Sequence, residues 1–224
     1  MLNSWRMPLT PLEQKESEMS EQSIRKILSH AYNKAGKILG REFSVYRPVV
    51  LNDSLSDANF IYKLSSAFTL NKDFVNPQRE SFKDYLVYTN SDMVQVGDIM
   101  SDSDETFVIT WRRGIEDVVA IRATDIVEIY STGWDTTNGL IQTRILKAKN
   151  VPASVTKAQS VVDSSLQRVA NTNQANAWEV RIWSKTAEIL QTDNIIFRDG
   201  TVLHIDSMST NELCQTFKCS EVVV

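Results

Sequence analysis

The residue types that most often carry catalysis or phosphate binding are sparse in this 224-residue chain. The two histidines, His30 and His204, are far apart in sequence, and neither stands near a Ser, Cys or carboxylate in a pattern typical of a catalytic triad. The seven glycines are scattered singly, so neither a dinucleotide-binding motif nor a P-loop occurs. These patterns predict no catalytic residue, no cofactor and no small-molecule substrate, and therefore a protein that is not an enzyme.

Four acidic residues lie close together and invite comparison with a cation site: Asp98, Asp102, Asp104 and Glu105. An EF-hand loop needs oxygen ligands at alternate positions, a central Gly and a bidentate Glu at its end. Here the apolar residues Phe107 and Val108 follow the acidic residues, so the loop pattern fails. We interpret the cluster as a solvated turn between two strands and predict no metal site.

The two cysteines, Cys214 and Cys219, are separated by an odd number of positions. If they share a strand, they point to opposite faces, because side chains alternate with a period of two. They could then neither form a disulfide with each other nor share a metal ion. We expect two reduced thiols.

Charge and hydropathy restrict the partners. Acidic residues outnumber basic ones by 28 to 24, and no basic run is longer than two residues, as in Arg112-Arg113, which argues against a dedicated nucleic-acid-binding protein. No window approaches the roughly 18 apolar residues of a membrane helix, and the N-terminal residues lack the apolar core of a signal peptide. We expect a chain that is made in the cytosol and does not bind membranes.

The elements around these residues begin with an amphipathic helix. One face recurs with the 3.6-residue period and consists of Ile24, Ile27, Leu28, Ala31, Ala35, Ile38 and Leu39. Ser20 is suited to cap its N-terminus, and Gly40 to end it in a left-handed conformation. Residues 1–19 contain Pro8 and Pro11 and a polar run, which predict an extended arm.

The chain after Gly40 is predicted to be mainly β, with antiparallel sheets. Short segments rich in β-branched and aromatic residues follow one another closely: 43–48, 60–64, 85–88, 106–112, 117–123 and 125–130. The turn-rich residues 131–139 suggest a boundary between a helix-plus-β domain over 20–135 and a second domain over 140–224. Residues 151–177 are polar and predict a long mobile loop. No internal repeat that aligns the two halves is visible.

The second domain is predicted to be a small β-barrel or sandwich. In WEVRIW, Trp178, Val180 and Ile182 share one face, so we expect them to face a core while Glu179 and Arg181 do not. Asp199-Gly200 lies between two apolar runs and predicts a two-residue hairpin turn with positive φ at both positions.

This C-terminal segment resembles the head-closure (stopper) proteins of tailed bacteriophages. The family shows a V-x-I-R strand, a short polar stretch, a hairpin with a D-G turn and a closing strand. The matching positions here are Val180, Arg181, Ile182, Asp199, Gly200, Ile205, Ser207, Met208, Leu213, Phe217, Cys219 and Glu221. A helix that ends in Leu-Gly, followed by a strand that closes in VYRP, is similar to other phage virion proteins.

The resemblance implies a structural protein of the virion, assembled in the host cytoplasm. It implies a ring-forming part of the head–tail neck or connector, or of the tail baseplate. The expected partners are further copies of the chain and neighbouring phage proteins, with DNA close by if the ring lines a channel. Arms and loops order on assembly in such rings. The candidate interface residues are therefore apolar residues of the arm and loop: Trp5, Leu9, Val161, Val162 and Leu166.

Two other functions fit parts of the sequence. Trp111, Trp134, Trp178 and Trp183 lie on or beside predicted strands, and an OB-type nucleic-acid-binding module stacks bases on such residues. Without interleaved basic residues, packing in a core or an interface explains them better. A hydrolase whose carboxylates come together only in the folded chain is the third interpretation.

Overall fold

The computed structural model describes residues 11–70, 84–90, 92–113, 117–135, 141–157, 177–183, 188–210 and 214–222. Over these residues one α-helix, α1 (Pro11–Leu39), precedes twelve β-strands, which pair in antiparallel fashion. The strands close into two six-stranded barrels, joined through Thr124. The predicted fold class, mainly β with one N-terminal helix and antiparallel sheets, is confirmed.

Barrel 1 and barrel 2 each use six consecutive strands. Barrel 1 comprises β1 (Arg41–Tyr46), β2 (Phe60–Leu70), β3 (Asp84–Tyr88), β4 (Ile99–Ser101), β5 (Thr106–Arg113) and β6 (Asp117–Ala123). Barrel 2 comprises β7 (Asp125–Asp135), β8 (Ile141–Lys157), β9 (Ala177–Trp183), β10 (Asn194–Ile196), β11 (Val202–Thr210) and β12 (Cys214–Glu221). The predicted C-terminal barrel is therefore present, and the N-terminal β domain is a barrel as well.

The predicted element boundaries need three corrections. The helix begins at Pro11 and not near Ser20, because proline is tolerated in the first turn and good helix formers follow it. The barrels meet at Thr124 and not within residues 131–139, since β7 continues to Asp135 in register with β8. The predicted loop over 151–177 begins inside β8, which extends to Lys157, and residues 158–176 lie outside the described residues.

The two barrels have the same topology. Around barrel 1 the strands follow the order β1-β2-β3-β6-β5-β4, and around barrel 2 the order β7-β8-β9-β12-β11-β10. Each strand of barrel 1 therefore corresponds to the strand six places later in the chain, so that β1 corresponds to β7, β2 to β8, and so on to β6 and β12. The chain is thus an internal structural repeat, although its sequence shows no repeat that aligns the two halves.

The equivalence extends to individual core residues. Val45 pairs with Met100 across β1 and β4, and Ile129 pairs with Ile195 across β7 and β10. All four side chains are buried. In barrel 1 the pairing of β5 with β6 shifts register directly after Ile109, and in barrel 2 that of β11 with β12 shifts directly after Ile205. A bulge at the same place in both barrels indicates that the repeated unit is a complete barrel.

A buried aspartate precedes the shortest strand of barrel 1. The Asp98 carboxylate receives two hydrogen bonds from the Arg47 guanidinium, at 2.8 and 2.7 Å, and one from the backbone N–H of Gln95, at 2.7 Å. Its backbone carbonyl accepts the N–H of Ile109 at 2.9 Å. Asp98 therefore holds the turn before β4 and links that turn to β5.

Barrel 2 repeats this arrangement with Asp193, which precedes β10. One oxygen of its carboxylate accepts the backbone N–H of Leu190 at 2.7 Å and the amino group of Lys147 at 2.8 Å. The Asp193 carbonyl accepts the N–H of Ile205 at 3.4 Å. The cation now comes from β8 instead of the end of β1, so the acid and its turn are retained while its partner has changed.

An apolar cluster joins the two barrels. Outward-facing residues of barrel 1, among them Ile99 and Val108, pack with Trp183 and Cys214 of barrel 2. Beside this cluster, Lys149 pairs with Asp53 at 3.1 Å. The contact explains why Trp183 is buried although it lies on the strand face opposite to Val180 and Ile182. The predicted core positions of WEVRIW are confirmed, because both of those residues are fully buried and Trp178 packs against them.

Helix α1 packs on β2 and β3 of barrel 1 through a face of small residues. A Cβ at Gly36 would lie 2.6 Å from the backbone oxygen of Tyr88, and one at Gly40 would lie 2.5 Å from that of Ser66. Tyr32 adds an edge-to-face contact with Tyr88, with 5.4 Å between ring centroids. Gly40 does follow the helix, but its φ is not positive, so close backbone approach explains this glycine better than a left-handed helix end.

The hairpin at Asp199-Gly200 is present between β10 and β11, although its turn differs from the prediction. Only Gly200 has positive φ, at +89°. The N–H of Gly200 bonds to the carbonyl of Phe197, and the N–H of Phe197 bonds to the carbonyl of Thr201. This pattern is typical of a three-residue loop that ends in a left-handed residue. The Asp199 carboxylate accepts the N–H of Thr201 at 2.8 Å, and this bond lowers its pKa.

We predict that Asp193→Asn lowers the free energy of unfolding by about 3 kcal/mol, the lower end of the usual cost of breaking a buried ion pair, because Lys147 can still reach the surface. Urea denaturation measures the change. The matched control is Asp199→Asn in the exposed hairpin, for which we expect a clearly smaller change. Equal effects of the two substitutions would contradict a structural role for the Asp193–Lys147 pair.

We predict that Gly200→Val destabilises barrel 2 by on the order of 1 kcal/mol or more. A Cβ at Gly200 would meet no atom within 4 Å, so the cost arises from the positive φ alone. Gly200→Asn should cost clearly less, because asparagine tolerates the left-handed region. Thermal unfolding of both variants checks this difference, and equal losses would show that the backbone conformation is not the cause.

Candidate assembly interface

The apolar stripe of α1, predicted from the periodicity, is exposed. Ile24 is 46% exposed, Ile27 and Ile38 are each 68% exposed, and Leu39 is 75% exposed. The helix packs on barrel 1 through the face that carries Tyr32 and Gly36, whereas Ile27 and Ile38 lie on the opposite side of the helix. The periodicity therefore predicted the helix correctly, but much of the stripe stays at the surface, and its residues Leu28 and Ala35 are half-buried.

A row of cationic side chains borders this stripe. Residues 22–41 contain five basic residues and no acidic residue. On a helix with about 100° per residue, the cationic side chains of Lys34 and Lys37 fall beside Ile27 and Ile38, on the side away from barrel 1, and the His30 side chain lies between the two lysines. All three are exposed. A search for consecutive basic residues misses this row, because a helix brings together residues three and four positions apart.

The opposite end of the molecule is a polar face of barrel 2. We define this outer face by Leu190, His204, Asp206, Ser220 and Val222. Asp206 accepts a hydrogen bond from Ser220 at 3.0 Å, and Val222 and Leu190 are 42% and 44% exposed. Around it, the acidic residues Glu188, Asp199 and Glu221 outnumber the basic residues Arg198 and Lys218. The outer face is therefore polar and mildly acidic, with apolar residues at its edges.

The strand order places the two surfaces at opposite ends. In the ring of barrel 1, β2 and β3 lie across from β5 and β4. Helix α1 packs on β2 and β3, while β4 and β5 supply residues to the contact with barrel 2. In barrel 2, β8, the end of β9 and the start of β12 meet barrel 1, and β11 and β10 lie across the ring from β8 and β9. The order along the molecule is α1, barrel 1, barrel 2, outer face.

The candidate interface residues from the sequence, Trp5, Leu9, Val161, Val162 and Leu166, all lie outside the described residues. The described tryptophans do not form one stacking surface. Trp111 is 44% exposed on barrel 1, Trp178 packs against the core of barrel 2, and Trp183 is buried between the barrels. Barrel 2 also closes with six strands, whereas an OB-fold has five.

The acidic cluster of barrel 1 is paired with arginines. Arg41 pairs with Asp102 at 3.3 Å, with Asp104 at 3.4 Å and with Glu105. These acids lie in the turn between β4 and β5, as the sequence predicts, and they line one side of a hollow of about 180 Å³ whose other side includes Thr124, Ile126 and Arg198. Among the described residues, no group of three or more His, Cys, Asp or Glu side chains could hold a metal ion.

No protein-family model, curated protein or solved structure matches this chain. None of the helices in the described part of the chain is both long enough and apolar enough to cross a membrane. The fold and the two end surfaces are therefore the observations from which a function is inferred.

The two cysteines lie on opposite faces of β12, as their spacing predicts. Cys219 is in the core of barrel 2, and Cys214 is buried between the barrels. Neither forms a disulfide. Burial, with a smaller effect of Asp206, raises the pKa of the Cys219 thiol to about 12.

We predict that Cys219 in the folded chain reacts with iodoacetamide at pH 8 roughly a thousandfold more slowly than an exposed cysteine. The reason is that only the thiolate reacts and its fraction falls with the raised pKa. Mass spectrometry of timed samples measures the rate, and the same chain in urea is the control. Rapid modification of Cys219 without urea would contradict its place in a closed barrel.

Proposed function

We propose that this chain is a structural protein of the virion of a tailed bacteriophage. In this role it is a ring-forming component of the head–tail neck or connector, or of the tail baseplate. One observation carries the proposal: the surface of α1 at one end of the molecule differs chemically from the outer face of barrel 2 at the other end. A contact between two different surfaces repeats around an axis and forms a ring when the rotation closes.

The sequence resemblance supports the phage setting. The segment that resembles head-closure proteins corresponds to β9 through β12 of barrel 2. Several matched positions, including Val180, Ile182, Ile205 and Phe217, are fully buried in that barrel. The pattern shared with the family thus coincides with the core of one barrel.

The electrostatics are also suited to a ring. Outside α1 the chain is acidic, and an acidic wall does not hold DNA that must pass through a channel. Four of the five basic residues of the segment 22–41 lie on one helix at one end of the molecule, and the fifth, Arg41, begins β1. In this role the chain binds further copies of itself and neighbouring structural proteins, with no need for catalysis.

We predict that density-gradient purification of phage particles carrying this gene recovers the chain with the particles, in fixed proportion to the capsid protein. Mass spectrometry of the gradient fractions measures this proportion. Deletion of the gene should give separate heads and tails or incomplete tails, visible by electron microscopy. Recovery only at the top of the gradient, together with normal particles from the deletion strain, would show that the chain is not a virion component.

A further inference from the structure

We propose that the apolar and cationic surface of α1, from Ile24 to Leu39, docks on the outer face of barrel 2 of a second copy of this chain. This inference rests on the proposed role as a ring component and names the contact that would build the ring. The sequence predicted different contacts, made by the arm over residues 1–19 and the loop over residues 151–177.

The internal repeat indicates which surfaces should meet. Within one chain, barrel 1 contacts barrel 2 through β4, β5 and β6, which we call its donor side, and barrel 2 receives this contact on β8, the end of β9 and the start of β12, which we call its acceptor side. The equivalent donor side of barrel 2 consists of β10, β11 and β12, and these strands carry the outer face. The equivalent acceptor side of barrel 1 consists of β2, β3 and the start of β6, and α1 packs on β2 and β3. Repeating the contact from one copy to the next therefore brings the outer face of one molecule to α1 of another.

The chemistry of the donor side has changed between the two barrels. At equivalent positions, barrel 1 has Ile99 and Val108, whereas barrel 2 has Asn194 and His204. The barrel 1 residues are permanently covered, so they can be apolar. The outer face must remain soluble until a second copy covers it, which favours a polar surface with a few apolar residues at its edge.

Charge complementarity favours the same pair of surfaces. Residues 22–39 of α1 contain four basic residues and no acidic residue. In the described part of the segment that forms the outer face, Asp193 is buried, and the acidic residues at the surface still outnumber the basic ones: Glu188, Asp199, Asp206 and Glu221 against Arg198 and Lys218. Two α1 helices placed against each other would instead bring like charges together. Helix-to-barrel docking also covers Ile27 and Ile38, which contact with a phosphate backbone would leave exposed. A second copy is therefore the partner that fits both the apolar and the cationic parts of the stripe.

Cysteine cross-linking tests the contact directly, because both native cysteines are buried. Ile27→Cys protein is mixed with His204→Cys protein and treated with a short bismaleimide. The expected product is a cross-linked dimer that contains one chain of each variant. The matched control is a mixture of Lys63→Cys with His204→Cys, since the Lys63 side chain is 61% exposed but lies on β2 and not on α1. This control should give at least tenfold less product.

A second measurement tests the energetics. Sedimentation equilibrium of Ile27→Gln/Ile38→Gln should show self-association at least tenfold weaker than that of the unmodified chain. Val49→Gln, at an equally exposed apolar residue of barrel 1, should leave it unchanged. Self-association should also weaken as salt is raised, because the surface charges are screened. Circular dichroism confirms that the variants are folded.

The results of these experiments distinguish a failure of the proposed α1 contact from a failure of the proposed virion role. A multimeric chain without the mixed cross-link, or with an equally strong Ile27→Cys homodimer, overturns the contact while the chain can still be a virion protein. A chain that remains monomeric at every concentration also overturns it. The contact is likewise overturned if the Gln variants lose binding to duplex DNA or to anionic vesicles instead of self-association. The virion role itself is tested by the density-gradient purification of phage particles described above.

Discussion

Closure of each barrel depends on a strand of three residues held by a buried aspartate. β4 bridges β1 and β5, and β10 bridges β7 and β11, so without them neither sheet would close. Three residues offer few ladder hydrogen bonds, and such a strand has little stability of its own. The buried carboxylates of Asp98 and Asp193 fix the preceding turn and attract a cation from a neighbouring strand. In each barrel, the buried ion pair of an aspartate thus fixes the short strand that closes the sheet around an apolar core.

The repeat shows how equivalent surfaces diverge when their surroundings differ. The side of barrel 1 that meets barrel 2 is apolar and includes Ile99 and Val108, whereas the same side of barrel 2 presents Asn194 and His204. Inner positions such as Ile109 and Ile205 remain alike, because both face a closed core. Coverage by a neighbour therefore determines the character of the outer faces, and an asymmetric molecule with two different ends results.

Helix α1 illustrates a competition between two kinds of packing. Its apolar stripe would be expected to face the barrel, yet the face with Gly36 packs there instead. Glycine lets the helix backbone approach the carbonyl groups of β2 and β3, where any Cβ would collide. The stripe with Ile27 and Ile38 is left on the surface beside a row of cations. Close packing of the helix backbone on β2 and β3 has therefore been favoured over burial of these two isoleucines.

Local patterns in the sequence determined the presence of α1, the position of most strands, the inward face of β9 and the separation of the two thiols. Each follows from a period of 3.6 or 2 within a few residues. Other features were decided only by the tertiary structure. β7 continues through the turn-rich residues 131–135 because β8 pairs with it, Trp183 is buried because the other barrel covers it, and the stripe on α1 is exposed because glycine packing selected another face. The repeat was invisible in the sequence because it conserves strand order, bulges and a buried acid, while the residue types on the outer faces follow their different neighbours.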